Sequence, residues 1–289
     1  MHLICPFSVI PVRSSPQERG EQLTQLLFGD LMEVLDRQGK NWLRVRCIPD
    51  NTVGWVQSNQ VLEITPSEFH LYKGHFAYCL DLLHPVMAEN AYIPVSLGAR
   101  LPNFDGMQFQ LAGKAFTFSG LAVFPADLRP ASSMVLKIAQ RFLFAPEQAG
   151  GRSPLGVDCS GLTQLVFGIV GIPLGREPEL QVLQGETVDF VEESQPGDLA
   201  FFEDRKGRVN HVGIVLPNRQ IMHVHGSVRI DKLDHFGIYD EQAQHYSHKM
   251  RVIRRVLPPE ALQSENTSQQ AEVVRNQIEL FTPHPTSPE

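Results

Sequence analysis

The apolar period of this chain changes once, near Ser132, and that switch limits the fold more than any other feature. Upstream, short β-type runs at residues 3–12, 26–35, 42–47 and 53–56 are separated by Gly, Asp and Asn, the spacing of a small barrel. Thr65-Pro66-Ser67 reads as a boundary, and residues 67–128 repeat the style, with runs at 92–95, 107–111 and 115–118 between Gly98, Asp105-Gly106 and Gly113. A second small barrel is expected there. Downstream, Val135, Ile138, Ala139, Phe142 and Leu143 recur at helical spacing, with Ser132 or Ser133 as the N-cap. A second amphipathic helix is expected over residues 159–170, capped by Asp158 and ended by Gly171-Ile172-Pro173. Strand-like runs at 199–202, 211–216, 220–225 and 250–256 follow, so the last region is α+β. The chain therefore divides at 1–64, 65–128 and 129–258, with a polar tail over 259–289 that should be mobile or lie on the surface.

Charge and composition narrow the function classes. With 25 Lys+Arg against 32 Asp+Glu the net charge is −7, which argues against a nucleic-acid or anionic-membrane partner, since both select a basic field. No uninterrupted apolar run reaches the about 18 residues that a spanning helix needs. The segment from Met1 to Pro11 lacks a Lys/Arg n-region, and Pro6 and Pro11 interrupt it, so it reads as a strand rather than a secretory signal, and a cytoplasmic location is expected. Cys5, Cys47, Cys79 and Cys159 are far apart and form no CxxC pair, so neither a disulfide framework nor a thiolate zinc site is encoded locally.

Among these cysteines Cys159 stands apart, because it heads a helix, where free amide N–H groups and the helix dipole favour a thiolate. Gly156-Val157-Asp158 supplies a turn and cap before it, and Ser160-Gly161 leaves room for an incoming carbonyl. A nucleophilic cysteine needs a base within hydrogen-bond reach, itself oriented by a third polar group. His211 opens an apolar strand after Asn210, and antiparallel pairing with the 220–225 run would bring His223 beside it. Alternation puts His223 and His225 on one face, so spacing alone does not choose between them.

The combination resembles the NlpC/P60 family of papain-like cysteine peptidases. It is carried by Gly156-Val157-Asp158-Cys159-Ser160-Gly161-Leu162, Pro196-Gly197-Asp198-Leu199-Ala200-Phe201-Phe202, Asn210-His211-Val212-Gly213-Ile214 and Ile221-Met222-His223, followed by Val228-Arg229-Ile230-Asp231. The resemblance implies Cys159 as nucleophile, His211 as base and His223 as the orienting member, with no cofactor or metal. Ser8-Val9-Ile10-Pro11-Val12-Arg13, Gln25-Leu26-Leu27-Phe28-Gly29-Asp30 and Gly54-Trp55-Val56 look like the bacterial SH3 domains of γ-D-glutamyl-L-diamino acid endopeptidases. The implied fold is α+β: a papain-like catalytic domain preceded by two small SH3-like β-barrels, the first packing against the catalytic domain and closing one end of the groove. The implied partner is a murein peptide with a free N-terminal L-Ala, cut at its γ-D-Glu–diamino acid bond. By the same resemblance Asp158, Ser160 and Glu177 would bind the terminal amine, with Glu21 on the SH3 face as a further acid.

This chain departs from the family pattern ahead of the nucleophile. Where members usually read Pro-Tyr-Leu-Trp-Gly-Gly-Arg, it reads Pro146-Glu147-Gln148-Ala149-Gly150-Gly151-Arg152, and the lost Tyr is one that helps form the oxyanion hole. Removing one such donor typically costs ~10²–10³ in rate. An ionised Glu147 in that region would repel the developing negative charge. Similarly, the family Arg-Asp-Ser/Ala stretch appears as Arg176-Glu177-Pro178. Two readings follow: a murein-peptide endopeptidase serving cell-wall recycling, and a binding protein on the same fold with impaired chemistry.

Overall fold

The computed structural model describes residues 1–262; most of the expected 259–289 tail lies outside the described residues. In the first region β1 (His2–Ile4), β2 (Val9–Arg13), β3 (Gln22–Leu27), β4 (Leu31–Gln38), β5 (Trp42–Cys47), β6 (Val53–Gln57) and β7 (Leu62–Ile64) form one antiparallel sheet, in the order β3-β2-β6-β5-β4-β1-β7. The alternation in β5 shows why: Leu43, Val45 and Cys47 are buried while Arg44 and Arg46 face solvent. The inward side chains of Ile10, Val12, Leu26, Val45 and Val56 fill the core. The run expected at 3–12 is two strands, parted around Pro6, which has no N–H to give to a ladder.

A helix, α1 (Pro66–Gly74), begins where only a boundary was expected. Thr65 and Glu68 form a reciprocal capping box, with Pro66 at the first helical position. After it come β8 (Phe76–Cys79), β9 (Leu83–Ala88), β10 (Ala91–Ser96), β11 (Arg100–Pro102), β12 (Gln108–Leu111), β13 (Lys114–Thr117) and β14 (Ala122–Val123). They make a four-stranded sheet, β10-β9-β13-β12, and a three-stranded one, β11-β8-β14. Phe28 of the first region inserts edge-on against the stacked pair Phe109 and Phe116, whose centroids are 5.3 Å apart.

The third region holds α2 (Ser132–Gln140), the hairpin β15 (Arg152–Ser153) and β16 (Gly156–Val157), α3 (Cys159–Ile169), α4 (Pro178–Gln181), β17 (Glu186–Val188), β18 (Leu199–Glu203), β19 (Val209–Leu216), β20 (Gln220–His225), β21 (Ser227–Leu233), β22 (Gly237–Asp240) and β23 (His245–Arg255). Neither serine caps α2: the N-cap is Ala131, and the Ser132 hydroxyl instead donates to the Pro196 carbonyl, tying the helix to the turn before β18. The sheet runs β17-β23-β18-β19-β20-β21-β22, and β22 pairs back onto β23, so six strands close into a ring. Ala200, Phe202, Val215, Ile221 and Ile253 cluster on one side of these strands. Phe201, Val212, Ile214 and Met222, on the other side, join the cluster that includes Leu162, Leu165 and Val166 of α3.

That cluster also crosses the expected borders at 64/65 and 128/129, taking in Leu27, Phe28, Leu97, Phe118 and Val135. The three regions thus share apolar packing. Gly98, at φ +85°, permits it: a Cβ there would collide with the Leu165 side chain. Among the described residues no helix is long and apolar enough to cross a membrane.

Candidate active site

The head of α3 is fixed from three directions. Asp158 is its N-cap and accepts from Gly161 N at 2.7 Å, which leaves Cys159 in the first turn with free amide N–H groups around it. Arg176, itself buried, reaches both oxygens of the same carboxylate at 3.0 and 2.7 Å and donates to the Ser160 hydroxyl at 2.9 Å. Gly150 N adds a bond at 2.8 Å. Gly150 has φ +71°, and a Cβ on it would strike the Gln22 carbonyl of β3, so the loop before Cys159 lies directly on the first region. Arg152 N donates to Gln25 Oε1 at 2.8 Å, Arg152 Nη1 reaches Asp30 at 3.3 Å, and Arg176 Nε donates to Thr24 Oγ1 at 3.0 Å. The first sheet therefore packs against the third region through a buried polar seam.

The Cys159 sulfur lies against the backbone N–H of Val212, the residue after His211, so the head of α3 abuts β19 next to the base candidate. Just before His211 the β18–β19 pairing slips: Phe202 faces His211 but Glu203 faces Val209, leaving Asn210 extra. Such a bulge re-aims the side chain beside it. His211 Nε2 and His223 Nδ1 are 3.0 Å apart, and His223 Nε2 lies 2.8 Å from Asp231 Oδ2. His223 is fully buried and His225 exposed, which resolves the choice that spacing left open in favour of His223 as the partner of His211. The sequence reading missed two side chains: Asp231, on β21, and His248, on β23, whose ring stacks on His211 at 4.0 Å and 22°. Only the quoted Val-Arg-Ile-Asp stretch pointed toward Asp231, and nothing local pointed toward His248.

Comparison with known proteins fits this geometry. The NlpC/P60 family pattern matches residues 146–249, and the bacterial dipeptidyl-peptidase SH3 domain pattern matches residues 12–61. The chain carries an NlpC/P60 domain and a bacterial SH3 domain. It is homologous to the γ-D-glutamyl-L-lysine dipeptidyl-peptidase of Bacillus cereus, 28% identical over 256 residues, covering 76% of this chain and 73% of that protein. It is 25% identical to dipeptidyl-peptidase 6 of Lysinibacillus sphaericus, over 76% of this chain and 88% of that one. A crystal structure of an NlpC/P60 family protein from Bacillus cereus shares the fold with a TM-score of 0.76 at 22% identity, covering 89% of this chain and all of that one.

Within the NlpC/P60 domain the polar residues expected to take a substrate amine divide into two kinds. Asp158 accepts two Arg176 donors, Gly161 N, Gly150 N and, at 3.3 Å, the Ser160 hydroxyl, which fills the roughly four acceptor sites of a carboxylate. Asp158 and Ser160 are thus both bonded to Arg176 at the head of α3. Glu177, at the N-cap of α4, receives no hydrogen bond on its carboxylate among the described residues. Burial raises its pKa, opposed by the neighbouring Arg176. Glu21 is exposed immediately before Gln22, whose side chain donates to the Ala149 carbonyl at 3.0 Å, so it stands at the edge of the same seam. Glu147 is turned away from the role that its position suggested: its carboxylate accepts from Gly226 N at 2.6 Å, on the turn between β20 and β21. That N–H occupies one of its carboxylate oxygens.

Burial pushes the Cys159 thiol up to about 12, with Asp158 adding to the effect, while the N–H groups of Val212 and Ser160 and the Arg176 charge oppose it. Burial also holds His211 well below an ordinary histidine, helped by the surrounding imidazoles. Both shifts oppose the charged forms, working against the thiolate that the helix N-terminus favours. Nitrogen atoms of His211, His223 and His248 lie within 4.8 Å of one another. Stacked rings have parallel in-plane lone pairs, so a metal ion there would have to unstack His248 and break the His211–His223 bond.

Proposed function

We propose that this chain is a cysteine peptidase that hydrolyses the γ-D-Glu–diamino acid bond of murein stem peptides bearing a free N-terminal L-Ala, within cytoplasmic cell-wall recycling. Residues 65–128 are read as a second SH3-like unit. The observation that carries the proposal is Cys159 at the capped head of α3, against the strand whose His211 is bonded to His223. His211 Nε2 is spent on His223, so Nδ1 is left for the thiol.

In this reading His211 Nδ1 takes the proton from Cys159 as sulfur attacks the γ-amide carbonyl. The oxyanion forms next to the amide N–H groups of the first turn of α3. Collapse breaks the C–N bond, and the imidazolium returns its proton to the leaving amine, giving a thioester. Water, deprotonated by His211, then attacks the thioester, and the thiol leaves with that proton. Glu177, with its unbonded carboxylate, and Glu21 on the seam are the acids assigned to the substrate ammonium.

Glu147 favours the second reading, a murein-peptide-binding protein with impaired chemistry, because a carboxylate held by Gly226 cannot replace a tyrosyl O–H. One experiment separates the two. Purified protein given L-Ala-γ-D-Glu-diaminopimelate should release diaminopimelate, Cys159→Ala should release none, and N-acetylated peptide should be cut far more slowly. Peptide binding without turnover in the wild type would establish the binder, and equal rates on acetylated and free peptide would remove the amine assignment.

A further inference from the structure

Asp231 belongs to none of the roles assigned above, yet it ends an unbroken line of hydrogen bonds that begins at the base. We propose that Asp231 is a positioning residue that sets the tautomers of two imidazoles in series, so that His211 presents a bare Nδ1 to the Cys159 thiol. The proposal rests on the reading of Cys159 and His211 given above.

The argument is one of donors and acceptors. A carboxylate only accepts, so the 2.8 Å contact between Asp231 Oδ2 and His223 Nε2 requires the proton on that nitrogen. A neutral imidazole carries one proton, so His223 Nδ1 is then a lone pair. Its partner at 3.0 Å, His211 Nε2, must supply the hydrogen, and His211 Nδ1 is left bare. Reversing either ring would set two N–H groups or two lone pairs against each other. Burial makes such a mismatch costly, since His223 has no solvent exposure and the Asp231 side chain only 8%.

Asp231 is in turn prevented from rotating or taking up a proton. Arg229 Nε lies 2.7 Å from Asp231 Oδ2 and Arg229 Nη2 2.8 Å from Oδ1, while Nη1 of the same guanidinium reaches Asp240 Oδ2 at 3.3 Å. Burial raises the Asp231 pKa, but the bonds from His223 and Arg229 outweigh it and hold the carboxylate below its usual range. The register explains why this acid reaches the ring: Ile221 pairs with Asp231 and His223 with Arg229, so Asp231 is the diagonal neighbour of His223 on the adjacent strand.

Nitrogen NMR of labelled histidines tests this without substrate. Wild-type protein should show His211 and His223 each protonated at Nε2 and bare at Nδ1; a proton on Nδ1 of either ring would overturn the proposal. Asp231→Ala should mix these tautomers, slow iodoacetamide alkylation of Cys159, and lower kcat on the murein peptide roughly 10–100-fold with KM nearly unchanged. Asp231→Asn, whose amide oxygen can still accept from His223, should keep more activity than the alanine variant. Unchanged tautomers and alkylation in a folded Asp231→Ala would also overturn it. The spectra and alkylation rates remain decisive even if no murein peptide proves to be a substrate.

Discussion

Two aspartate–arginine pairs border the candidate site, and they are built to opposite ends. At the head of α3, Asp158 and Arg176 bond to each other and to Ser160, Gly161, Thr24 and the loop at Gly150. On the sheet, Asp231 and Arg229 leave one acceptor direction open, and His223 fills it. The first pair is a clasp: it joins the N-cap of α3 to the SH3 domain and spends its carboxylate acceptors on the protein itself. The second points its charge through two rings toward the head of α3, where the proposed nucleophile Cys159 stands. A buried ion pair is thus no sign of function by itself; what distinguishes the two is whether its last hydrogen bond ends on a group with a nitrogen still free.

The comparison breaks most readily at Asp158. Asp158→Ala removes the N-cap and leaves the Arg176 guanidinium, 3% exposed, without its partner. Breaking a buried pair from one side costs about 3–5 kcal/mol, to which loss of the cap contributes about 1 kcal/mol. Urea unfolding should show this loss, with activity falling only as the fold does. Asp231→Ala should do the reverse, since Arg229 retains Asp240 and solvent contact. If the two variants lose stability and activity in the same proportion, the distinction between clasp and relay fails.

Acid supplies the next test, because it acts on the histidines. His211 and His223 are held below the ordinary histidine value of 6.5, chiefly by burial, and His248 is lowered to about 4 by burial and by the charges of His223 and His225. The groups facing these rings from adjoining strands are Asp231, which opposes the shift, and Arg229, which reinforces it for His223. Below pH 6.5 the unfolded chain binds protons that the folded one refuses. Stability is therefore complete above 6.5 and falls as pH drops toward the folded values, by at most ~1.4 kcal/mol per pH unit for each histidine and by less for the partly exposed His248. Thermal midpoints between pH 7 and 4 measure this, and a flat profile would mean that the rings are charged in the folded protein.

How much of this was legible in the sequence depends on distance along the chain. The head of α3 was readable because cap, Cys159 and helix are contiguous, and Asp158 does cap as expected. That β19 and β20 are antiparallel neighbours was readable as well, since a short turn joins them, but their spacing alone did not choose between His223 and His225 as the partner of His211. Helix α1 was not: Thr65-Pro66-Ser67-Glu68 spells its cap, but only Phe69 and Tyr72 are buried along it, too few to make an apolar stripe. Asp231 was hidden by the diagonal geometry of β20 and β21. The saturation of Asp158 was hidden too, because its partner Arg176 lies beyond the helix and Thr24 lies in another region. Shared packing across the expected borders likewise depends on contacts such as that between Gly98 and Leu165, which no local pattern announces.

His248 is the most distant of these contributors, delivered only because β23 closes the strand ring, and it allows the finest test. Its ring covers one face of His211 at 4.0 Å, and its Nδ1 is bonded to the Ser247 hydroxyl at 2.9 Å, so it gives the base nitrogen nothing by hydrogen bonding. What it supplies is a flat, neutral cover that holds the imidazole in place and keeps water off it. A stacked ring pair is worth about 0.5–1.5 kcal/mol beyond burial, so His248→Ala should lower kcat by roughly 2–10-fold, while His248→Phe, which keeps the plane and drops the nitrogens, should remain near wild type. If phenylalanine proves as damaging as alanine, a nitrogen of His248 takes part in proton transfer, and the open end of the relay involves three imidazoles instead of two.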